Sequence, residues 1–197
     1  MCIGWRVKEY ACSFLYKTAL EVNSLKVNLI NTFKKTFFIR RINIMSIKTY
    51  SRSKDGNTQL TPNFKVIEFA SKCGSDEIKI DSRLPQVLQR IREIAGNKPV
   101  TIDSGYRTPA HNKAVGGVPD SLHTKGQAAS IIIKGMTLTD IARCAETALA
   151  EMRIPGGICV YNSFTTVDVR PKKWRAVNNG SAFTKNNGWS PMPRTNT

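Results

Sequence analysis

One histidine segment has residue types and spacing that suit metal chemistry. His123 lies in SLHTKGQAAS, residues 121–130, and the apolar run III follows this segment directly. A neutral imidazole is a common metal ligand, and a strand of small residues after it could carry a second ligand on its inward face. The position seven residues after His123, where a carboxylate would complete the pair, holds Ser130. The segment therefore leaves two interpretations, a metal loop that has lost its partner ligand and a loop that never bound a metal.

Alternation along two predicted strands places further side chains near this histidine. Successive side chains on a strand point to opposite faces, so residues 128, 130 and 132 share one face, and residues 166, 168 and 170 share another. We expect both faces to border the cleft that contains His123. Ser130 and Thr166 are then its neighbours, and Asp168 lies one alternate position further along.

The surrounding sequence predicts the elements that hold these residues. A short helical segment is predicted in NFKVIEFASK, helices in DSRLPQVLQRIREIAGNKP and TLTDIARCAETALAEM, strands in VTIDS and QAASIII, and a hairpin in GGICVY and TTVDVR. Thr137 and Asp140 have the spacing of a capping box. The segment 104–125 is predicted to be a long functional loop. This order of elements predicts an α+β fold with helices packed on a small sheet.

The chain divides into four regions by composition. Residues 1–44 form a basic extension, which we interpret as an upstream addition before a true start at Met45; a basic amphipathic helix for a membrane surface is the alternative. Residues 45–63 are predicted to be a lead-in loop, residues 64–172 the folded domain, and residues 173–197 a polar basic tail.

Charge and cysteine content restrict the class of protein. The net charge of +16 over 197 residues favours anionic partners such as nucleic acid or an anionic wall polymer. The five cysteines show no CxxC spacing, and Cys144 and Cys159 are predicted to be buried apolar residues, which fits reduced thiols in the cytoplasm. We expect synthesis in the cytoplasm without a signal peptide, and no transmembrane segment.

Three motifs resemble a known family. SGYRTPAHNKAVGG, SLHTKGQAA and GGICVYNSFTTVDVR occur in this order and closely resemble the zinc D-alanyl-D-alanine carboxypeptidase family, of the murein peptidase C-terminal catalytic domain type, over about residues 60–172. The resemblance implies a small antiparallel sheet with helices packed on it, cleavage of cell-wall peptides, and one zinc ion. A phage-derived member would be directed to the wall.

The resemblance also implies a zinc site that is incomplete here. In the family, zinc is held by the histidine of S-x-H, an aspartate seven residues later and the histidine of a late H-x-D strand. His123 matches the first ligand, whereas Ser130 and Thr166 occupy the positions of the other two. Neutral hydroxyls are poor zinc ligands and a catalytic zinc needs about three protein ligands, so we expect zinc to be absent or weakly bound.

Three other residues receive roles from the resemblance. Asp168 matches the aspartate of H-x-D and is a candidate catalytic base. Arg107 matches the arginine of SGYR, which is associated in the family with the substrate carboxylate. Ser121 opens the S-x-H motif and is a second candidate for substrate binding.

Three functions remain open on the sequence. The leading one is a peptidoglycan peptidase-like domain with impaired catalysis, whose partner is a peptidoglycan peptide or other cell-wall material. The second is an active metallopeptidase with substituted ligands, for example His123, Asp103 and Asp168. The third is a basic protein that binds nucleic acid or a wall polymer, although the sequence has no helix-turn-helix or aromatic-interleaved pattern to support sequence reading.

Overall fold

A six-stranded mixed sheet is the central element of the fold. The computed structural model describes residues 46–178 and 183–185, which belong to one unit spanning residues 42–197. The strands are β1 (Ile47–Ser51), β2 (Gln59–Thr61), β3 (Phe64–Lys65), β4 (Glu77–Asp81), β5 (Val100–Ser104), β6 (Ala128–Ile133), β7 (Gly157–Val160), β8 (Thr165–Asp168), β9 (Trp174–Asn178) and β10 (Phe183–Lys185). The helices are α1 (Arg52–Asp55), α2 (Arg83–Ile94), α3 (Pro109–Ala114) and α4 (Leu138–Glu151), with 3-10 turns at Val66–Phe69 and Leu122–Lys125.

The strand order of the large sheet is β10-β9-β7-β8-β6-β5. Its neighbouring strands are antiparallel, except that β7 and β9 run parallel. Two small antiparallel pairs, β1-β4 and β2-β3, lie outside it. The predicted α+β class, with helices packed on a small sheet, is confirmed. The parallel β7-β9 pair was not predicted, because β9 falls in the segment predicted to be a tail.

Alternation along the central strands separates a core face from a polar face. The side chains of one set join the hydrophobic core with the helices: Ala129, Ile131, Ile133, Ile158 and Val167. The alternate set lies on the opposite face: Ala128, Ser130, Cys159, Thr166 and Asp168. The burial of five apolar side chains on one face fixes the register of these strands, because a slip by one residue would exchange the two faces.

The two long helices form one layer over the core face. Leu84, Val87, Leu88 and Ile91 recur on one side of α2 and are buried. Helix α4 packs against α2 and against β6, β7 and β8. Its N-cap is Thr137, whose hydroxyl oxygen accepts a hydrogen bond from the Asp140 backbone N–H at 3.1 Å. None of the helices in the described ranges has the length and apolar character to span a bilayer.

Three segments differ from the predicted loops. Residues 45–63, predicted to be a lead-in loop, contain β1, α1 and β2, and β1 pairs with the unpredicted β4. The long segment 104–125 contains α3 and a 3-10 turn, and the start of the predicted tail contains β9. Strand β4 does alternate, with Ile78 and Ile80 between charged residues, and this signal was overlooked. The other strands among these elements have little apolar periodicity and form through backbone pairing with distant partners. The extension 1–44 lies outside the described residues.

A glycine after His123 lets the chain approach β4 closely, and we expect its replacement to be costly. Gly126 has φ +70°, and a Cβ there would lie 2.2 Å from the Lys79 carbonyl oxygen. Gly126→Ala should therefore lower the free energy of unfolding by about 3 kcal/mol or more, from left-handed strain and steric overlap together. Gly135→Ala is the matched control: φ is +78° but no atom lies within 4 Å, so only about 1 kcal/mol of strain is expected. Urea unfolding measures the free energy of unfolding of both variants. Equal losses of stability would contradict the close approach of the chain to β4 at Gly126.

Candidate functional site

A cleft of about 440 Å³ opens on the polar face of the central strands. The Leu122–Lys125 turn, the strands β6, β7 and β8 and the segment after β8 all contribute to it. Its lining residues are Val118, Asp120, Ser121, Leu122, His123, Ala128, Cys159, Tyr161, Thr166, Asp168, Arg170 and Trp174. Four of the sequence-predicted site residues, Ser121, His123, Thr166 and Asp168, thus share one cleft.

His123 is held in a single orientation by the backbone. Its Nδ1 lies 2.7 Å from the Gly105 carbonyl oxygen, and because a carbonyl only accepts, Nδ1 carries the proton and Nε2 keeps its lone pair. Burial, and after it the nearby Arg107 charge, lowers the pKa of His123 to about 4, against the opposing effects of the Gly105 hydrogen bond and Asp168. The imidazole is therefore neutral at neutral pH.

Ser130 and Thr166 lie directly opposite each other on β6 and β8. Their hydroxyl oxygens are 3.0 Å apart, so one hydroxyl donates a hydrogen bond to the other. Ser130 is fully buried, whereas Thr166 is half-buried and lines the cleft. The structure thus brings together the two positions that the resemblance assigns to lost zinc ligands, and it links them by a hydrogen bond between neutral groups.

The Asp168 carboxylate is occupied by Arg170. Arg170 Nε donates to both carboxylate oxygens at 2.8 and 3.0 Å, and Nη2 donates to Oδ2 at 2.6 Å. The guanidinium group lies 4.6 Å from the Trp174 ring centroid, in a cation–π arrangement. Gly157 makes room for this carboxylate, because a Cβ there would lie 2.1 Å from Asp168 Oδ2. Asp168 therefore anchors a cleft wall made of Arg170 and Trp174.

Arg107 lies beside the cleft rather than in its lining. Its backbone N–H donates to the His123 carbonyl oxygen at 3.1 Å, and its Nε donates to Ser104 Oγ at 2.7 Å. Burial lowers the pKa of the Arg107 guanidinium, although the charges of Tyr161 and Asp103 act in the opposite direction. Asp103 forms its ion pair with Lys72, at 3.0 Å. Among the described residues, Arg107 has no ion pair with a carboxylate.

The donor set of this cleft does not match a zinc site. Within residues 46–178 and 183–185, no group of three or more histidine, cysteine, aspartate or glutamate side chains is positioned to hold a metal ion. The substituted set of His123, Asp103 and Asp168 is therefore not brought together. The hydroxyls at positions 130 and 166 add no charge and stay protonated near neutral pH, so they do not complete a site around His123.

Sequence reasoning missed several residues of the cleft. Cys159 was predicted only as a buried apolar residue; it is buried, but it also lines the cleft beside Thr166, its partner across the hairpin. The register of the predicted hairpin could have revealed this contact. Trp174 carried no such signal, because its position depends on the parallel pairing of β9 with β7.

Comparison with known proteins agrees with the motif resemblance. The chain is 32% identical over 118 residues to the peptidoglycan L,D-endopeptidase MepK of Escherichia coli strain K12 and, to the same extent, to that of Shigella flexneri. The match covers 55% of this chain and 62% of each relative, so the chain spans less than two thirds of their length. The model of the family described as Peptidase M15 matches residues 61–168, which is more than half of the chain and includes all three motifs up to Asp168. The protein therefore belongs to the peptidase M15 family.

Proposed function

We propose that this domain binds peptidoglycan peptides in the His123 cleft and hydrolyses them poorly, because its zinc site is degraded. The observation that carries the proposal is the hydrogen-bonded Ser130–Thr166 pair at two of the three ligand positions, beside a cleft that is otherwise formed. The relatives that the chain matches are named as peptidoglycan endopeptidases, which supports cell-wall peptide as the ligand class.

The impaired step follows from the chemistry of the donors. In zinc peptidases the ion lowers the pKa of a bound water and polarises the scissile carbonyl. Two neutral hydroxyls and one imidazole hold zinc poorly compared with the charged or imidazole sets of catalytic sites. The candidate base is also engaged, since both oxygens of the Asp168 carboxylate accept hydrogen bonds from Arg170. Ligand binding does not need these steps and can persist without them.

Arg107 supplies the charge that a peptide carboxylate would need. Its guanidinium group is half-buried, close enough to His123 to affect that residue's pKa, and without a carboxylate partner among the described residues. A half-buried guanidinium group that lacks a carboxylate partner favours an anionic ligand group, because charge-assisted hydrogen bonds are stronger than neutral ones. We therefore assign the ligand carboxylate to Arg107 and the adjoining peptide to the cleft.

Calorimetry with matched ligands tests the proposal. A soluble peptidoglycan pentapeptide that ends in D-alanyl-D-alanine should bind equally well with added zinc and with a chelator. The same peptide with a terminal carboxamide should bind about 10- to 100-fold more weakly, and Arg107→Gln should remove this preference, because a charged hydrogen bond contributes about 1.5–3 kcal/mol. Mass spectrometry of the incubated peptide should show little cleavage.

Two results would overturn the proposal. One is efficient cleavage of the peptide that a chelator abolishes, which would show a working metal site. The other is the absence of any measurable binding of the peptide.

Arg90→Gln is the matched control for Arg107→Gln. Arg90 forms surface ion pairs with Glu93 and Glu151 away from the cleft, so this variant should bind the peptide as the unchanged protein does.

The net charge of +16 favours a second candidate, binding of nucleic acid or an anionic wall polymer. Such binding would depend steeply on salt, because each phosphate contact releases counterions. Affinity for duplex DNA at several salt concentrations distinguishes the candidates. A tight complex at physiological salt would favour the second one, whereas weak, salt-sensitive binding would reflect only the charge of the surface.

A further inference from the structure

One nitrogen in the cleft, Nε2 of His123, keeps its lone pair and can accept a hydrogen bond from a ligand. The Gly105 carbonyl fixes the proton of His123 on Nδ1, which leaves a lone pair on Nε2. His123 is more than nine-tenths buried and lines the cleft. A ligand that covers Nε2 without offering a donor would leave this acceptor desolvated and unpaired, which is costly, so a ligand that supplies a donor is favoured.

We propose that His123 Nε2 accepts a hydrogen bond from a backbone amide N–H of the bound peptide. This inference rests on the proposed function, since it names the ligand group that meets His123. In this arrangement His123 contacts the peptide directly instead of a metal ion. Thr166 lines the same cleft, and its hydroxyl can donate outward when Ser130 donates to it, so the cleft offers both an acceptor and a donor to an amide group.

Charge favours a neutral donor over a cationic one. The positive charge of Arg107 lies close enough to His123 to disfavour a second cation there. The negative charge of Asp168 is paired with Arg170 at 2.6 Å and does little to offset this effect. A ligand ammonium group would thus meet net repulsion at Nε2, whereas an amide N–H would not. The amide is also the most abundant donor in any cell-wall peptide.

Amide-to-ester replacement in the ligand tests this contact. An ester keeps the size of the amide, removes the N–H donor and weakens the carbonyl as an acceptor, so the comparison with His123→Ala is needed to assign the effect to the donor. A series of pentapeptides, each with one amide replaced, should include one analogue that binds the unchanged protein about 10-fold or more weakly, because a buried acceptor then loses its donor. His123→Ala should bind this analogue and the parent peptide with equal affinity, as expected when both changes remove the same interaction.

Nitrogen-15 NMR of the unchanged protein gives a second reading that does not depend on a variant. The chain has two histidines, so His111 serves as an internal control. We expect the free protein to show His123 protonated on Nδ1. Addition of the parent peptide should shift the Nε2 resonance of His123 and leave that of His111 unchanged, and the critical ester analogue should produce a smaller shift.

The outcomes separate this inference from the proposal beneath it. If no peptide binds, the proposed function fails and the inference fails with it. If peptides bind but every ester analogue binds equally well, or if His123→Ala still discriminates against the critical analogue, only the His123 contact is wrong. Protonation of His123 on Nε2 in the free protein also overturns it.

Discussion

Zinc binding should appear when Ser130 and Thr166 are changed together to Asp and His, and not when either is changed alone. The two hydroxyls are 3.0 Å apart on paired strands, and His123 lines the same cleft as Thr166. Ser130→Asp with Thr166→His would therefore place a carboxylate and two imidazoles around one point. Three protein ligands with an open position form the usual catalytic zinc site, whereas two leave most of the coordination sphere to water.

The stability of the variants should show the same coupling. Ser130 is fully buried, so an aspartate alone at this position places an unpaired carboxylate in the interior and should destabilise the fold by several kcal/mol or raise its own pKa. In the double variant, zinc should compensate this charge. Added zinc should thus raise the Tm of the double variant far more than that of either single variant, because an ion that binds only the folded state stabilises it.

Zinc affinity across the four proteins decides this prediction. The coupling between the two substitutions should exceed about 1.4 kcal/mol, a tenfold effect in the dissociation constant beyond additivity. Strictly additive affinities, or a double variant that binds zinc no better than the unchanged protein, would show that positions 123, 130 and 166 do not converge. Hydrolysis need not return with the metal, because the Asp168 carboxylate remains engaged by Arg170.

Loss of Glu146 should destabilise the fold more than loss of any surface charge. Glu146 is buried on α4 and accepts hydrogen bonds from Arg175 Nε and, at 2.8 Å, from Lys173 Nζ. Arg175 is also buried, so Glu146→Ala leaves a guanidinium charge in the interior without its carboxylate. Removal of one partner from a buried ion pair costs about 3–5 kcal/mol. Arg175 lies on β9 next to Trp174, so this change should also loosen the Trp174 wall of the cleft.

A second glutamate on the same helix is the control. Glu151 pairs with Arg90 at 2.7 Å, but both side chains are about one third exposed or more, so Glu151→Ala should cost only about 0.2–1 kcal/mol. Urea unfolding of both variants gives the comparison. Equal losses would show that the Glu146–Arg175 pair is not a buried contact of the folded state.

The pH dependence of this ion pair has a definite sign. Burial alone would raise the pKa of Glu146, but the hydrogen bonds from Arg175 and Lys173 outweigh it and hold the pKa below the usual 4.5. The contribution to stability is therefore present above pH 4.5 and is lost as the pH falls through the lower pKa of the folded state. The difference in stability between the unchanged protein and Glu146→Gln should shrink in that acidic range.

The sequence by itself predicted the features that depend on local pattern. The amphipathic period of α2, the cap at Thr137 and the alternation along β6 and β8 are all present in the structure, because each depends on neighbours in the chain. The family motifs identified the positions of His123, Ser130 and Thr166. Alternation within two predicted strands placed Ser130 and Thr166 near His123, whereas their direct pairing depends on the register of β6 with β8.

Tertiary structure decided the features that depend on distant partners. β9 has no apolar pattern that would mark it, and it forms because β7 pairs with it and because Glu146 neutralises Arg175 in the interior. The engagement of Asp168 by Arg170 and the protonation of His123 on Nδ1 were likewise invisible in the sequence. Desolvation and the geometry of hydrogen bonds determine both, and these exist only once the chain has folded. The sequence thus identified four of the residues that line the cleft, whereas the fold determined the hydrogen bonds and ion pairs that those residues form.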